Sequence, residues 1–546
     1  MIIGKARYDS KEDADAILRQ QTDMEADRAN YEPVWQDIAN YTDPGNATYG
    51  MKFTTPGQRN DERIFDSTAQ MALNRFAATM SSVLIPRTQR YQKVKVSDPD
   101  LSEDSEVMRW CEEVTDRLFH FRESPRANFY GQMSDVFSSL GGPGTGVIYS
   151  EDAPGDGMRY RAVHLAESYI AENFSGIIDR FHRQFEWPAR KIVEKWRDAA
   201  PQQVQACMES SPERKFTIIH HVSPNESRER WRLDYRGMPF KSVYVCKDLK
   251  ETLGRGGYWT FPYHVSRYVT KAREVYGRSP SWEALADIKM TNQASKSMIK
   301  QAQLAADPAW LLHDDGILQA LSIKPGALNM GGVNESGQQL VHPLQTGSNF
   351  QIAKEEMEQR RLSVRGAYLE TLFQILIEKP NMTATEVLER AAEKGVFLAP
   401  IVGRQQSELL GPLTEREIDC LTRAGALPPR PKKLIGVDLR FEYESPATRA
   451  QRAQEAAGFA RTIEALTPLA QVKPRVLKLF NEEKVGRGIS EINGVPLDWL
   501  LSKEEMDAQD QAEIQAAQTQ QLIAAAPVVS DAAKKIAETQ AIEAGA

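Results

Sequence analysis

The chain has 546 residues, of which 41% are hydrophobic and 26% are charged, and its formal net charge is −7. This length predicts roughly three to four domain-sized units of ordinary globular composition. Proteins that coat nucleic acid through many phosphate contacts are usually basic, so the negative charge argues against tight, sequence-specific DNA binding. It is compatible with a protein that surrounds DNA and lets it slide.

Cysteine usage and the N-terminus bear on the compartment. No two of the four cysteines form a Cys-x-x-Cys pair, so we expect neither a zinc site nor a disulfide framework, and no other cofactor. They are Cys111, Cys207, Cys246 and Cys420. The N-terminus lacks the apolar segment of a signal peptide, and no apolar run of about 18 residues is present. We therefore expect a soluble protein that is made in a reducing cytoplasm and does not enter a membrane.

Four helices are predicted before residue 145. Apolar residues at spacings of three and four indicate helices over 8–42, 66–85, 104–122 and 129–140. The glycine-rich run at 141–146 is superficially like a phosphate-binding loop, but no Lys follows it, and it leads from a helix into a strand pattern. A tight helix-to-strand turn is the favoured interpretation.

From residue 145 to about residue 270 the pattern changes to short strands. Runs rich in β-branched and aromatic residues predict strands at 146–149, 169–172, 216–222, 231–235 and 242–246, with one helical insert at 188–200. His220 and His221 lie in one of these runs and should point to opposite faces of the sheet, so ordinary packing is favoured over a shared site. This region is predicted to be α+β.

Long helices follow. The pattern predicts helices over 280–306, 351–377 and 383–410, the last of which begins with a capping box of Thr383 and Glu386. Lys379-Pro380-Asn381 breaks the pattern between the second and third of these helices. A Pro-rich link and a short strand are expected at 425–440, and helices thereafter. The predicted fold class is α+β, mainly helical.

The sequence lacks two common catalytic motifs. The sequence has no Gly-x-Ser-x-Gly nucleophile elbow and no His-Glu-x-x-His zinc motif. His313-Asp314-Asp315 could be imagined as metal ligands, but adjacent residues converge poorly on one ion, and a surface turn is favoured. We therefore expect no enzymatic activity and no metal.

Several short stretches are weak signals individually, but their order and spacing along the chain are specific. They are Tyr41-Thr-Asp-Pro44, Arg63-Ile-Phe-Asp66-Ser-Thr-Ala69, Arg273-Glu-Val-Tyr-Gly-Arg-Ser-Pro280, Ala306-Asp-Pro308, Lys324-Pro-Gly-Ala-Leu-Asn329, Met382-Thr-Ala-Thr-Glu-Val387, Leu410-Gly-Pro-Leu413 and Gly425-Ala-Leu-Pro428. Over roughly residues 10–440 this series resembles the head-to-tail connecting (portal) family of short-tailed bacteriophages. Residues 441–546 match less, and the extreme tail does not match.

The resemblance implies a dodecameric ring with wing, stem, clip and crown regions around a central channel. Two long helices of about 25 residues, each roughly 38 Å long, suit a stem with a clip between them. The resulting assignment is wing 1–280, stem helices 281–306 and 351–377, clip 307–350, channel loop 378–382, wing helix and link 383–440, and C-terminal crown 441–546.

The resemblance also implies that the loop Glu378, Lys379, Pro380, Asn381 and Met382 projects into the channel. An ordinary helix–helix corner is the alternative. Cations at helical spacing on the stem could touch DNA phosphates in transit: Lys289, Lys296, Lys300, Arg361 and Arg365. They could equally pair with carboxylates of a neighbouring subunit, such as Glu355 or Glu358, or be solvated, and these plainer alternatives are favoured.

The clip should carry partner surfaces. Its apolar residues are too many for a small segment to bury, which suggests burial between subunits and docking of partners nearby, with packing inside the clip as the alternative. They are Trp310, Leu311, Leu312, Ile317, Leu318 and Leu321. The partners that the resemblance implies are the major capsid and scaffolding proteins, terminase, tail adaptor and internal core proteins, and double-stranded DNA that passes through without sequence recognition.

The implied function is therefore a portal subunit at one capsid vertex, a conduit for genome packaging and ejection. The protein would reside in the virion, at the head-tail junction, and in the host cytoplasm during assembly. One alternative is another ring protein of the neck or tail, such as an adaptor, although those proteins are usually much smaller and lack a double stem. A less favoured alternative is an unrecognised helical cytoplasmic enzyme.

Overall fold

The structure is a computed structural model. It describes residues 10–49, 61–306 apart from 88, 103, 154 and 156, then 350–370 and 398–443, with short stretches between 310 and 343 and between 458 and 515. The chain divides into two compact units. The first comprises residues 1–91 and 118–427, and the second comprises 92–117 and 428–546.

The helices fall where apolar residues recur at helical spacing. They are α1 (Ser10–Arg28), α2 (Glu32–Thr42), α3 (Thr68–Leu84), α4 (Pro99–Ser102), α5 (Ser105–Glu123), α6 (Phe129–Gly141), α7 (Ala189–Trp196), α8 (Gln202–Ser210), α9 (Pro280–Ala306) and α10 (Phe350–Ala367). Residues 398–405 are helical and continue through a π-helical turn, Gln406–Leu410, into α11 (Gly411–Arg423).

The prediction of a single helix over 8–42 was wrong. Two helices occupy that stretch, and a turn separates them at residues 29–31. Pro33 lies in the first turn of α2. Because proline has no backbone N–H and clashes with the preceding turn, it is tolerated at the start of a helix and not inside one. A new helix therefore begins there.

The strands form two antiparallel sheets in the first unit. Their bounds are β2 (Thr145–Ala153), β3 (Gly157–Val163), β4 (Ser168–Glu172), β5 (Ile178–Pro188), β6 (Lys215–Pro224), β7 (Phe240–Cys246), β8 (Glu251–Tyr258) and β9 (Tyr263–Arg267). One sheet has three strands in the order β3-β2-β9, and the other has five in the order β4-β5-β6-β7-β8.

The strand predictions at 146–149, 169–172, 216–222 and 242–246 are confirmed, and the one at 231–235 was wrong. That segment is a loop that ends in a 3-10 turn, Tyr235–Gly237. Its aromatic and aliphatic residues resemble those of a strand, but Trp231 and Leu233 face solvent instead of a core. The helical insert proved to be two helices, α7 and α8, and β3, β5, β8 and β9 were not foreseen.

The glycine-rich run at 141–146 is a turn between α6 and β2, as the sequence predicts. Gly144 has a φ of +99°, in the left-handed region that glycine adopts without strain. A Cβ at this position would lie 2.6 Å from the carbonyl oxygen of Gly277. The glycine therefore permits both the turn and the close approach of the segment that precedes α9.

Apolar side chains from both sheets and from α2 share one core. Trp35 of α2 packs with Val147, Val163, Phe181 and other buried residues of the strands. On the five-stranded sheet, α1 covers Ile219, Val243 and Val245. A separate cluster lies between α7, α8 and the same sheet. The first unit is thus built around its sheets, with helices packed on them.

The second long helix is shorter than predicted. The helix predicted at 280–306 is confirmed as α9, whereas α10 ends at Ala367, ten residues before the expected end at 377. Leu369 has a φ of +62°, a left-handed conformation that no α-helix accommodates. Residues 371–377 lie outside the described residues.

The second unit contains a two-stranded antiparallel sheet. Its strands are β1 (Gln92–Val96) and β12 (Leu439–Tyr443), which pair from Gln92 with Tyr443 to Val96 with Leu439. The Trp110 indole N–H donates to the carbonyl oxygen of Pro428 at 3.2 Å. Strand β12 agrees with the short strand that the sequence predicts near residue 440.

Candidate functional site

The two long helices carry the candidate site, and the first of them has a well-defined start. The Ser279 hydroxyl oxygen accepts a hydrogen bond from the backbone N–H of Trp282 at 3.0 Å, and Pro280 occupies the first helical position. A serine cap followed by proline is a preferred helix start, because the cap satisfies a free N–H and proline has none to satisfy. This local chemistry fixes where α9 begins.

The helices α9 and α10 pack on each other through a narrow apolar seam. The buried side chains along it include Ala284 and Ile288 of α9 and Met357 and Val364 of α10. The Ser295 hydroxyl lies 3.4 Å from the Met357 sulfur within the seam. Most other side chains of the pair are polar, so their polar contacts determine how the helices are held.

Asp66 joins three helices. Its side chain is 4% exposed, and one carboxylate oxygen accepts from Arg361 Nε at 3.0 Å and Nη2 at 2.7 Å. The same oxygen accepts from the Ser295 hydroxyl at 3.1 Å, and the other accepts from the backbone N–H of Thr68 at 2.9 Å. Burial raises the pKa of Asp66, but the Thr68 hydrogen bonds and the Arg361 guanidinium outweigh it, so the pKa is lowered.

Asn292 of α9 fixes the segment before α3. Its amide oxygen accepts from the backbone N–H groups of Phe65 at 2.7 Å and Asp66 at 3.2 Å, and its amide nitrogen donates to the carbonyl of Arg63 at 2.9 Å. Sequence reasoning marked the stretch 63–69 as a motif but gave it no partner. The structure shows that the motif is a docking strip for α9.

A second ionic contact links the two long helices directly. Arg360 Nη1 lies 3.1 Å from Asp287 Oδ1, and the Ser363 hydroxyl donates to Asp287 Oδ2 at 3.0 Å. Arg360 also pairs with Glu356 at 2.9 Å. These contacts were not predicted, because the partners in α9 and α10 are more than 70 residues apart in sequence.

The three cations predicted on α9 differ in their surroundings. Lys289 Nζ lies 2.6 Å from Asp37 Oδ2 of α2. The Lys296 ammonium lies 5.2 Å from the centroid of the Phe65 ring, within range of a cation–π interaction. Lys300 is exposed. Two of the three therefore contact their own chain.

The two cations predicted on α10 also differ. Arg361 is held by Asp66 and lies 3.2 Å from Glu358 of the same helix. The contact of Arg365 with Glu358 is long, at 4.0 Å. Glu358, which the sequence suggested as a partner in a neighbouring subunit, thus reaches arginines of its own chain. That any of these cations faces a channel stays a prediction.

The end of α10 is tied into the core. The Tyr368 hydroxyl lies 2.5 Å from the Ser281 hydroxyl, which donates to the carbonyl of Gly141 at 2.5 Å. Burial raises the pKa of Tyr368, so the hydroxyl stays protonated. Glu370, almost fully buried, forms an ion pair with Arg75 of α3.

The predicted clip and channel loop are described only in small part. Strands β10 (Trp310–Leu312) and β11 (Val341–Pro343) pair antiparallel, so Trp310, Leu311 and Leu312 lie in a strand. Ile317, Leu318 and Leu321 lie outside the described residues. So do the channel loop residues Glu378, Lys379, Pro380, Asn381 and Met382, and the turn His313, Asp314 and Asp315.

Helix α11 is anchored by a buried charge network. Arg122 donates to Glu417 through Nε and, at 2.6 Å, through Nη2, and both side chains are almost wholly buried. The Tyr160 hydroxyl donates to Glu417 at 2.5 Å, and Arg122 donates to the Tyr91 hydroxyl at 2.8 Å. Although burial alone lowers the pKa of Arg122, Glu417 raises it well above its ordinary value, so the guanidinium stays charged.

Among the residues that the structure describes, no group of three or more His, Cys, Asp or Glu side chains is placed to hold a metal ion. No helix in the described part of the chain is long and apolar enough to cross a membrane.

Comparison with known proteins places this geometry in context. The family model described as "Bacteriophage head to tail connecting protein" matches residues 14–501. A "Portal protein" of Salmonella phage epsilon15 is 25% identical over 532 residues, which is 96% of this chain and 95% of that protein. A "Probable portal protein" of Bordetella phage BPP-1 is 26% identical over 494 residues, 89% of this chain and 88% of that protein.

Solved structures give a weaker likeness. One chain from "Virion of native gene transfer agent (GTA) particle" is 13% identical with a TM-score of 0.36, covering 77% of this chain and 94% of that one. Another, from "Neck of native GTA particle computed with C12 symmetry", is 12% identical with a TM-score of 0.37, covering 72% and 86%.

Proposed function

Because this chain belongs to the family of bacteriophage head to tail connecting proteins, it is a head-to-tail connector of the portal type, and we propose that it works as one subunit of a closed ring through which the genome is packaged and ejected. The observation that carries this proposal is the family match over residues 14–501, which includes both long helices and the core sheets. The family is one of structural proteins, so the task of the chain is passage and docking.

A ring built by head-to-tail contacts leaves an axial hole, because each subunit presents two different faces to its neighbours. DNA has to pass this hole without being held. The net charge of −7 per chain supports passage, since like charge keeps the duplex from adhering to the wall. A dodecamer at a capsid vertex is the assembly that we propose.

The contacts of the long helices narrow the choice of DNA-facing cations. Lys289, Lys296 and Arg361 are engaged by Asp37, Phe65 and Asp66 of the same chain. A side chain that holds its own subunit together is a poor transient ligand for moving phosphates. Lys300, which is exposed, and Arg365, whose contact with Glu358 is long, are therefore the favoured candidates.

Partners follow from the same proposal. The wing of the ring would contact the major capsid and scaffolding proteins. The clip would bind terminase first and tail adaptor proteins afterwards, and the crown would contact internal core proteins. The described strand pair β10–β11 lies in the segment that we propose as the clip. The loop at 378–382 remains the proposed channel loop.

Assembly tests the proposal. The purified full-length protein, alone and with the scaffolding protein of the same phage, would be imaged by negative-stain microscopy and weighed by mass photometry. We expect rings of about a dozen subunits with a central hole. Monomers or open oligomers in both preparations would contradict the proposed function.

A further inference from the structure

A rigid loop projects from one end of the five-stranded sheet, between β6 and β7. The Asn225 side chain donates to the carbonyls of Arg236 and Met238 at 3.1 and 3.0 Å, and Arg228 Nε donates to the carbonyl of Gly237 at 2.9 Å. The carboxylate of Asp234 accepts from the backbone N–H of Arg236 at 3.1 Å. The loop 225–237 is therefore held in one shape by its own hydrogen bonds.

This loop displays large apolar side chains to solvent. Trp231 is 80% exposed and Leu233 is 90% exposed. Pre-organised aromatic side chains are typical of binding hot spots, because little conformational entropy is lost when they are buried by a partner. An exposed Trp and Leu on a rigid loop thus indicate a surface that is covered in the assembled particle.

The charges around Trp231 leave the loop positive. Its acidic residues are all engaged in ion pairs, Glu226 with Arg180 at 3.1 Å and Glu229 and Asp234 with Arg232 at 2.6 and 3.3 Å. Arg230 and Arg236, by contrast, are exposed. The loop therefore combines an aromatic projection with outward-facing guanidinium groups.

A cleft with the complementary character opens elsewhere in the same unit. Its volume is about 290 Å³, and its buried floor includes Trp35, Ile38, Ala39 and Leu73. The charged groups among its lining residues are the carboxylates of Asp43 and Asp135. Burial, with a contribution from Asp43, raises the pKa of Asp135, which is what an uncompensated pair of carboxylates does.

One side chain of the cleft floor, Trp35, has a polar atom without a hydrogen-bond partner. Trp35 is fully buried, and its indole N–H has no hydrogen-bond acceptor. A buried donor without an acceptor is costly, and native structures usually satisfy it with a partner or a water molecule.

We propose that the loop 225–237 of one subunit inserts Trp231 into the cleft between Asp43 and Asp135 of the next subunit in the ring. The inference rests on the proposed function, because it needs a ring. A ring interface joins two different surfaces of the same chain. The loop is apolar and positive and the cleft is apolar and negative, so the two surfaces are complementary. Arg230 would lie against the carboxylates at the mouth of the cleft.

The loop's composition favours a protein partner over DNA or lipid. With four arginines against three acidic residues in 225–237, its net charge is +1, too small for a surface that is built to bind polyanions. An aromatic centre with a rim of paired charges is the usual anatomy of a protein interface.

Cross-linking tests the contact directly. Arg230→Cys and Asp135→Cys would be combined in a full-length Cys207→Ser background, since Cys207 is the partly exposed native cysteine while Cys111, Cys246 and Cys420 are buried. A short bis-maleimide should convert assembled rings into a ladder of covalent oligomers. Each single-cysteine variant is the matched control and should give monomers on a denaturing gel.

Charge exchange gives an independent measurement. Arg230→Asp and Asp135→Arg should each raise the protein concentration at half-assembly about tenfold, and the double variant should recover most of that loss. Trp231→Ser should weaken assembly similarly, while Met208→Ser, an exposed apolar residue on α8, should not. Thermal unfolding of each variant would show that the subunit itself is intact.

The outcomes separate the two proposals. If the wild type forms rings but the double-cysteine variant gives no cross-linked ladder, and assembly is unchanged in Arg230→Asp and Trp231→Ser, the loop-in-cleft contact is overturned and the portal function stands. If Arg230→Asp and Trp231→Ser form normal rings that fail to enter capsids, the loop-in-cleft contact is likewise overturned, and another protein binds the loop. Failure of the wild type to form rings would count against the proposed function itself.

Discussion

The five-stranded sheet and the pair of long helices hold their polar side chains in opposite ways. The sheet buries neutral imidazoles, and His182, His220 and His221 are almost inaccessible to solvent. The helix pair relies on ions in partly exposed contacts, such as Arg361 with Asp66 and Arg360 with Asp287. Buried neutral networks specify one arrangement, whereas exposed ion pairs are individually weak and can be exchanged. The sheet therefore depends on buried hydrogen bonds between neutral groups, and the helix pair depends on ion pairs.

The histidine chain in the sheet has a single consistent direction of hydrogen bonding. The Gln21 amide nitrogen donates to Glu25 and Gln184, so its oxygen accepts from His182 Nδ1 at 2.9 Å. His182 Nε2 then accepts from His221 Nδ1 at 2.6 Å. These tautomers follow from the hydrogen-bond partners. An added proton on His182 Nε2 would place two N–H groups head to head, so this direction of hydrogen bonding requires a neutral His182.

The largest decrease in stability is expected at the buried ion pair of Arg122 and Glu417, which is an exception to the neutral networks beside it. Glu417→Gln leaves the buried Arg122 guanidinium without its carboxylate. Loss of one partner of a buried ion pair typically costs about 3–5 kcal/mol, because the remaining charge is left uncompensated. Urea unfolding of the full-length protein should show a decrease of this size in the free energy of unfolding.

The matched control for Glu417→Gln is the same change at Glu113, whose pair with Arg117 is about half exposed. Exposed pairs at this helical spacing contribute about 0.3–0.5 kcal/mol. A decrease below about 1 kcal/mol for Glu417→Gln would mean that water reaches Arg122 and that the network is not an anchor.

The second prediction concerns pH and the neutral histidines. Burial, with Arg180 for His182 and Arg416 for His264, lowers the pKa of each of these two histidines to about 3. The unfolded chain takes up protons below about pH 6.5, and the folded chain does not. Stability is therefore complete above pH 6.5 and falls as the pH decreases towards 3, by about 1.4 kcal/mol per pH unit for each such histidine.

His264→Gln isolates one histidine's share of that dependence. Glutamine can keep a hydrogen bond to Ser150, which His264 Nε2 contacts at 3.0 Å. The difference in unfolding free energy between pH 8 and pH 5 should shrink by about 2 kcal/mol in this variant. His120→Gln, at an exposed histidine, should leave the difference unchanged. An identical pH slope in wild type and His264→Gln would show that His264 titrates normally in the fold.

The sequence predicted the local features of these regions and missed the distant ones. Periodicity gave α3, α5, α6 and α9 nearly to the residue, because each buries one regular apolar face. It missed the end of α10, where tertiary bonds from Tyr368 and Glu370 override a pattern that continues. It missed the helices α4 and α8 and the five strands β1, β3, β5, β8 and β9, whose runs are short or mixed in character.

Site chemistry was less accessible for the same reason. Helical spacing grouped Lys289, Lys296 and Lys300, but Asp37 and Phe65, which engage the first two, lie more than 200 residues away in sequence. The hydrogen bond from Asn292 to the backbone of Phe65 spans 227 residues and has no local signature. The family motif at 63–69 was the available signal, and its physical meaning emerged from the contacts.

A smaller change in stability should distinguish a paired cation of the helix pair from an exposed one. Arg361→Glu removes the partner of Asp66 and places a second carboxylate beside it, so we expect the free energy of unfolding to fall by about 1–2 kcal/mol. Lys300→Glu, on an exposed position of α9, should change it by no more than about 0.5 kcal/mol. The two variants carry the same change in charge, which makes each the control for the other.

Genome packaging separates these two roles. In particles that carry the variant ring, Lys300→Glu should slow packaging while ring formation and stability stay normal, because it removes a cation that would contact moving phosphates transiently. Arg361→Glu should act mainly by loosening the hold of Asp66 on α9 and α10, with ring yield and stability falling together. Normal packaging with Lys300→Glu would remove this lysine from the channel and leave Arg365 as the remaining candidate.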